Sequence, residues 1–247
     1  MNYYKNCEEV TPDEHKVLMN TLYKQGYEDK DAYLIHNSRL FSGTTMNEFE
    51  SMIGCLTPEV KTYSEGDMIL RSGDRVETVA LVLKGTAVVE QEDFWGKVNE
   101  IKRLECPQTF GIAYACTPTA VVDVNVVAAT DAKVIFFDIK RILTVCSMGC
   151  EHHSRIVRNV VHELALSNLE MQNKINHISQ KTTRKKLLCF FSTEAKKAGS
   201  AEFEIAFSRQ ELADYLGIDR SGLSVEISKL QDDGIIKADK NHFALIV

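Results

Sequence analysis

Residues 208–236, SRQELADYLGIDRSGLSVEISKLQDDGII, leave little freedom in what they can fold into. Ser208 and Glu211 have the S-x-x-E spacing of a capping box, which starts a helix by satisfying two free amides reciprocally. Leu212, Ala213 and Leu216 then fall on one face, and the small Ala213 lets a second helix cross close by. Gly217 suits the left-handed residue that ends the first helix. Ile218 plugs the corner, and Asp219 caps a second helix. That helix turns Leu223, Ile227 and Leu230 inward and Arg220, Ser221, Ser224 and Lys229 outward. Two helices joined this tightly make a helix-turn-helix, whose second helix offers its first turn to the DNA major groove. The following GIIKADKNHFALIV reads as two short strands around Lys240-Asn241, which makes the unit winged. Arg220 is the candidate for a bidentate guanine contact. Lys185, Lys186, Arg209 and Lys229 are candidates for phosphate contacts, and Ser221 and Ser224 complete the expected face.

The charge balance restricts how such a unit can work. The 247-residue chain carries a formal charge of −6, which excludes a uniformly basic coat. Residues 179–247 sum to +1 and the preceding residues to −7, so the acidity belongs to the front of the chain. The seven cysteines include no C-x-x-C pair, which suits a reducing cytoplasm rather than a disulfide framework or zinc ribbon. The N-terminus lacks the pattern of a signal peptide, and no apolar run is long enough for a membrane span. The expectation is a soluble, cytoplasmic protein.

The texture of the chain changes twice. Residues 1–40 read as a peripheral helical arm with no assigned function, opened by Thr11, Pro12 and Glu14 in TPDE and ended near Gly26. Residues 41–150 show short β-rich runs punctuated by Gly66, Gly73, Gly85, Gly96 and Gly111, the rhythm of a jelly roll. VALVLKG and TAVVEQ flank Gly85 like a tight sheet corner, and EDFWGK reads as a turn with Trp95 at its tip. From Glu151 to Ile178 the pattern is helical. Val157, Val161, Leu164, Asn168, Met171 and Ile175 alternate spacings of four and three, a heptad seam with Asn168 to fix its register. Ile156, Val160, Leu166 and Leu169 form a second apolar stripe. Two stripes need two partners, so one is expected on the β-domain and the other on a second copy of the chain. Residues 179–247 form the winged helix-turn-helix. The fold class is α+β: an N-terminal jelly-roll β-domain, a long dimerisation helix over 151–178 and a C-terminal winged helix-turn-helix.

This order of parts, with YSEGDMILRSGD, LVLKGTAVV, FGIAYA and the helix-turn-helix stretch, resembles the Crp/Fnr family of bacterial transcription regulators over about residues 40–247. The resemblance implies a homodimer on double-stranded DNA with an inverted repeat, a small effector bound in or near each β-roll, and RNA polymerase as a partner. The chain also departs from the family. Cyclic-AMP-binding members carry a glutamate after the Phe-Gly turn and an Arg-Ser pair eleven positions past its glycine. Here Gly111 is followed by Ile112, and Val122 and Asp123 stand where Arg and Ser would. No arginine lies between 104 and 140. The pocket the resemblance implies is lined by Gly111, Tyr114, Thr119, Val122 and Asp123, with Ser167 and Asn168 from the long helix. That lining suits a neutral or cationic molecule with Asp123 as counter-charge, or else it is collapsed with Asp123 in solvent. The family's iron–sulfur branch uses an N-terminal cysteine cluster, of which only Cys7 is present. In the recognition helix, Arg220 is kept, Ser221 replaces a glutamate, and Val225 replaces a second arginine.

The first reading is therefore a DNA-binding regulator, with no enzyme activity, metal or resident cofactor, that answers to an unidentified effector other than cyclic AMP. Two alternatives remain. One is a ligand-sensing β-roll that regulates a protein partner. The other is a thiol- or metal-responsive regulator using Cys146, Cys150 and His153 in CSMGCEHH. A metal-dependent β-roll enzyme would need histidines on inner strands, and none occurs between Asn37 and Glu151.

Overall fold

The structure, a computed structural model, describes residues 12–144 and 151–246. The chain divides into two compact units, Met1–Leu164 and Ala165–Val247. The first opens with α1 (Pro12–Lys24), α2 (Asp29–His36), a 3-10 turn at Arg39–Phe41 and α3 (Met46–Leu56). Thr45 starts α3 through a capping box, its hydroxyl accepting from Glu48 N while its own amide donates to the Glu48 carboxylate. Then follow β1 (Glu59–Tyr63), β2 (Met68–Leu70), β3 (Thr78–Lys84), β4 (Thr86–Glu92), β5 (Val98–Glu105), β6 (Thr109–Phe110), α4 (Ile112–Ala115), β7 (Asn125–Ala128), β8 (Ala132–Asp138) and α5 (Ile139–Leu143). Among the described residues these strands form two four-stranded antiparallel sheets, ordered β1-β8-β3-β6 and β2-β7-β4-β5.

Gly85 makes the expected corner between the sheets. It has φ 76°, and a Cβ there would stand 2.2 Å from the Asp131 carbonyl oxygen. The chain leaves β3 in one sheet and enters β4 in the other. The turn between β4 and β5 holds Phe94 and Trp95 exposed, with their rings edge to face. Both faces of β3 and β8 are covered, which is why their sequences run apolar without alternation. Val79, Leu81, Ile135 and Phe137 face the helices, while Ala80, Val82, Val134 and Phe136 face the second sheet.

The N-terminal segment corrects the expectation of a peripheral arm. Leu22, Tyr27, Ile35 and Leu40 are buried in the same cluster as Val79 and Phe137, so this segment is one layer of the first unit's core. Thr11, the expected cap of α1, lies outside the described residues. Lys133 on β8 ties the layer down. Its buried ammonium donates to the Gly26 carbonyl at 2.8 Å, to Glu28 Oε1 at 2.8 Å and to Asp31 Oδ2 at 3.2 Å. Burial alone would lower the Lys133 ammonium, but the two carboxylates outweigh it and hold it above its ordinary value.

The long helix, α6 (Glu151–Ile178), crosses the border of the two units, so the expected borders at 150 and 178 do not coincide with the compact units. Its second apolar stripe is buried only at the start. Ile156 and Val160 join the core of the first unit, Leu166 is half-buried, and Leu169 is exposed.

The second unit adds α7 (Thr183–Ala198), β9 (Glu202–Glu204), α8 (Arg209–Leu216), α9 (Arg220–Asp232), β10 (Ile236–Asp239) and β11 (His242–Leu245). The wing is β10 and β11, turning through Lys240 at φ 51°. A third strand, β9, pairs with β11 and was not expected from sequence. Its EFE is too short to show a period. Among the described residues, no helix is long and apolar enough to cross a membrane.

Candidate nucleic-acid interface

The α8–α9 corner forms as its residues demand. The Ser208 hydroxyl accepts from Glu211 N at 3.2 Å, and Ser208 N donates to Glu211 Oε2 at 2.7 Å. Those bonds hold the Glu211 carboxyl below its usual range. Gly217 takes the left-handed conformation at φ 59°, and Ile218 N reaches back to the Ala213 carbonyl at 3.0 Å. Asp219 caps α9. Its carboxylate accepts from the Ser221 hydroxyl and, at 2.9 Å, from Gly222 N, and these bonds lower its pKa. Leu223, Ile227 and Leu230 are buried against Leu212, Ala213 and Leu216.

The opposite face of α9 is open. Arg220, Ser221, Ser224, Val225, Ser228 and Lys229 are all exposed. The Ser224 and Ser228 hydroxyls donate to carbonyls one turn back, those of Arg220 and Ser224, which leaves their oxygens able to accept. Ser221 is both a cap partner and part of this face. Val225 and Ser228 were not singled out as contacts, although they continue the Ser221 and Ser224 stripe at helical spacing.

Two expected phosphate contacts are engaged elsewhere. The Lys186 ammonium donates to the Leu216 carbonyl at 2.8 Å and lies 3.4 Å from that of Gly217, so it satisfies the open C-terminal end of α8. Arg209 donates to the Lys240 carbonyl at 2.8 Å, and its guanidinium lies 4.9 Å from the centre of the Phe243 ring. Its remaining terminal nitrogen, Nη1, is buried and, among the described residues, without a partner, and burial lowers the pKa of Arg209. Arg209 therefore holds the wing to α8. Lys185 and Lys229 stay exposed, and among the described residues neither side chain forms a hydrogen bond or ion pair. Arg184 fastens α7 to α9 through Asp233 at 2.6 Å and Glu226 at 3.4 Å.

Within the same unit, the end of α6 is pinned by His177. This residue is 1% exposed, with Nδ1 3.1 Å from the Tyr215 hydroxyl and Nε2 3.0 Å from that of Thr193. Thr193 gives its own proton to the Cys189 carbonyl at 3.0 Å. Its oxygen must then accept from Nε2–H, and Nδ1 accepts from Tyr215.

The expected effector lining separates into different environments. Val122 is not a lining residue but a core residue, 2% exposed, with its amide and carbonyl paired to Asp74 and Gly73. Gly111 serves the backbone at φ 80°, where a Cβ would stand 3.2 Å from the Thr78 carbonyl. Tyr114 donates its hydroxyl to the exposed Asp123 carboxylate, and Thr119 is exposed. Ser167 and Asn168 are exposed positions of α6 in the second unit. Cys146 and Cys150 lie outside the described residues, and His153 is buried. Among the described residues no group of metal-ligating side chains gathers.

Comparison with known proteins places two family models on the chain: the cyclic nucleotide-binding domain over residues 60–148 and the Crp-like helix-turn-helix domain over 185–247. The transcriptional activator protein FnrL of Cereibacter sphaeroides is 24% identical over 195 residues, covering 75% of each chain. Among solved structures, CprK (C200S) complexed with OCPA aligns with a TM-score of 0.53 at 13% identity, covering 75% of this chain and 84% of CprK. That alignment shows a shared fold. The catabolite activator protein of Thermus thermophilus aligns with a TM-score of 0.44 at 17% identity, over 85% of this chain and 94% of the other.

Proposed function

The chain belongs to the Crp/Fnr family of transcription regulators, a family of regulators rather than enzymes, and from that premise we propose that it reads an inverted DNA repeat as a homodimer. The observation that carries this reading is the open face of α9. Arg220 stands in the first turn with its side chain exposed and, among the described residues, without an acidic partner, as a guanine-reading residue must. Val225 is 54% exposed one turn further on, where an aliphatic group fits against a thymine methyl. Lys185 and Lys229 take the phosphates, and Ser221 and Ser224 accept or donate at base edges.

The homodimer is supported by the seam on α6. In the single chain Val161, Met171 and Ile175 are between 56% and 60% exposed, an apolar row that water disfavours. Asn168 lies exposed in the same row, as a register-setting polar residue does. The name of FnrL, a transcriptional activator, supports RNA polymerase as a further partner.

The effector is a small molecule other than cyclic AMP. The segment Gly111–Val126 carries no lysine or arginine, and Val122 is a core residue. Lys133, the nearest lysine after it in sequence, is buried and engaged by two carboxylates. A cyclic phosphate there would lose its hydration without gaining a cation.

Selection from a random DNA pool tests the DNA reading. It is expected to enrich an inverted repeat with half-sites about one helical turn apart, some 10 bp centre to centre. Enrichment of no sequence, or of single half-sites alone, overturns it.

A further inference from the structure

The helices α1, α2 and α3 line a half-open pocket of about 320 Å³ that lies outside the β-roll. Its walls include the rings of Tyr23, Tyr27, Tyr33 and Phe49, and its charged groups are Asp29 and Glu50. Among the described residues, no lysine or arginine lines it. The volume is that of a small-molecule site rather than a packing defect. The Tyr23 and Tyr27 rings meet edge to face with centroids 5.8 Å apart, and Phe49 is buried at 1% exposure. Tyr33 also lines it and is 66% exposed.

The electrostatics have one sign. Asp29 accepts from the Tyr23 hydroxyl at 2.6 Å and, among the described residues, has no cationic partner. Glu50 is exposed and, among the described residues, its carboxylate has no hydrogen bond or ion pair. The phenol of Tyr27 is pushed far above its ordinary value, first by burial and then by the charges around it, including Asp31, Asp29 and Glu50. Burial opposes a charge of either sign, whereas the part of this rise that comes from the carboxylates of Asp31, Asp29 and Glu50 marks a field favourable to a positive one. Aromatic faces add a further attraction for cations, strongest where water is excluded.

We propose that the pocket between α1, α2 and α3 binds a small organic cation, with an ammonium head among the tyrosine rings and Glu50 and Asp29 as its counter-charges. An inorganic ion fits less well, because the walls supply rings and few oxygens to replace its hydration. An anion or a neutral polyol would find no donor cation and an apolar floor. This site is separate from the DNA face and from the β-roll effector reading, and it stands or falls without them.

Calorimetry on the full chain tests it, with choline as the probe and 3,3-dimethylbutan-1-ol as its uncharged isostere of equal shape. Choline is expected to give a saturable heat and to bind at least about tenfold tighter than the isostere. Glu50→Gln and Tyr33→Ala should each weaken choline severalfold. Both residues are exposed, so the variants should keep the parent melting temperature without ligand, and this separates lost binding from lost folding. Equal binding of choline and the isostere would overturn the proposal, as would no saturable heat with choline. So would choline binding that both variants leave unchanged.

Discussion

Nδ1 of His177 and the phenolic oxygen of Tyr215 stand 3.1 Å apart, joining the last turn of α6 to α8. With Nε2–H donated to Thr193, Nδ1 is the nitrogen that accepts, and a proton placed there costs the Tyr215 hydroxyl its acceptor, so that the phenol must turn its own proton away. Burial, followed by the nearby Lys197, holds the imidazole below its ordinary 6.5, with Glu194 opposing. Lys174 stands 5.5 Å from the centre of the Tyr215 ring. A base with a depressed folded pKa makes stability complete above the unfolded value. That stability is lost as the pH falls below about 6.5. Denaturant titration of the DNA-binding unit should show it weakening below that pH, and His177→Gln should remove the slope while keeping polar contacts to both hydroxyls. A wild-type stability flat from pH 7.5 to 5.5 would contradict the assignment.

Lys185 and Lys186 are neighbours with different tasks. Lys186→Ala frees the end of α8 and should cost about 1 kcal/mol of stability, a single partly exposed charged hydrogen bond. It should leave the salt dependence of DNA binding unchanged. Lys185→Ala should leave stability unchanged and reduce the salt slope by about one. Urea melts and filter binding across a salt series separate the two.

Arg220→Ala should lose about 1–3 kcal/mol on the selected site and little on random DNA. An equal loss on both DNAs makes Arg220 a phosphate contact instead.

The seam on α6 calls for changes that do not disturb the core of the first unit. Leu164 packs against that core and is a poor probe, whereas Val161 and Met171 are 59% and 60% exposed in the single chain. Val161→Glu with Met171→Glu should give a folded monomer in light scattering. A dimer that survives both charges places the interface elsewhere.

Millimolar cyclic AMP should give no saturable heat in calorimetry on the wild type. A micromolar dissociation constant would show that groups other than an arginine have taken over the phosphate.

Much of this molecule is local in origin, and that part is legible in the chain. The Ser208–Glu211 box, the Gly217 turn, the Asp219 cap and the Gly85 corner each depend on residues a few positions apart, or on a φ that glycine adopts freely. The misses involve partners far away in sequence. A lysine in the first turn of a helix looks the same whether it faces solvent or, like Lys186, a carbonyl thirty residues on. Arg209 carries the charge of a phosphate contact, yet Phe243 and the Lys240 carbonyl lie across the wing. Val122 was read by its place in a family pattern, whereas its burial follows from backbone pairing with Gly73 and Asp74. The N-terminal helices carry apolar faces, but nothing local shows that these faces lie on Val79 and Phe137 rather than in a separate arm.

The ion cluster of Lys133 also bears on where one inheritable piece of this protein ends and another begins. The strands alone suggest a module that starts near residue 60, where the cyclic nucleotide-binding match starts. A fragment cut to 60–148 keeps Lys133 in the middle strand of its sheet and discards Gly26, Glu28 and Asp31 together. The same cut removes the layer that covers this face, so the Lys133 ammonium is left to water while Val79, Leu81, Ile135 and Phe137 lose their apolar cover, at about 25 cal/mol per Å² exposed. The transplantable unit is therefore bounded by the cover of its sheet, with the Lys133 cluster as the clasp, rather than by strand count. Any exchange of this sensor onto another DNA-binding unit must carry the first helices with it.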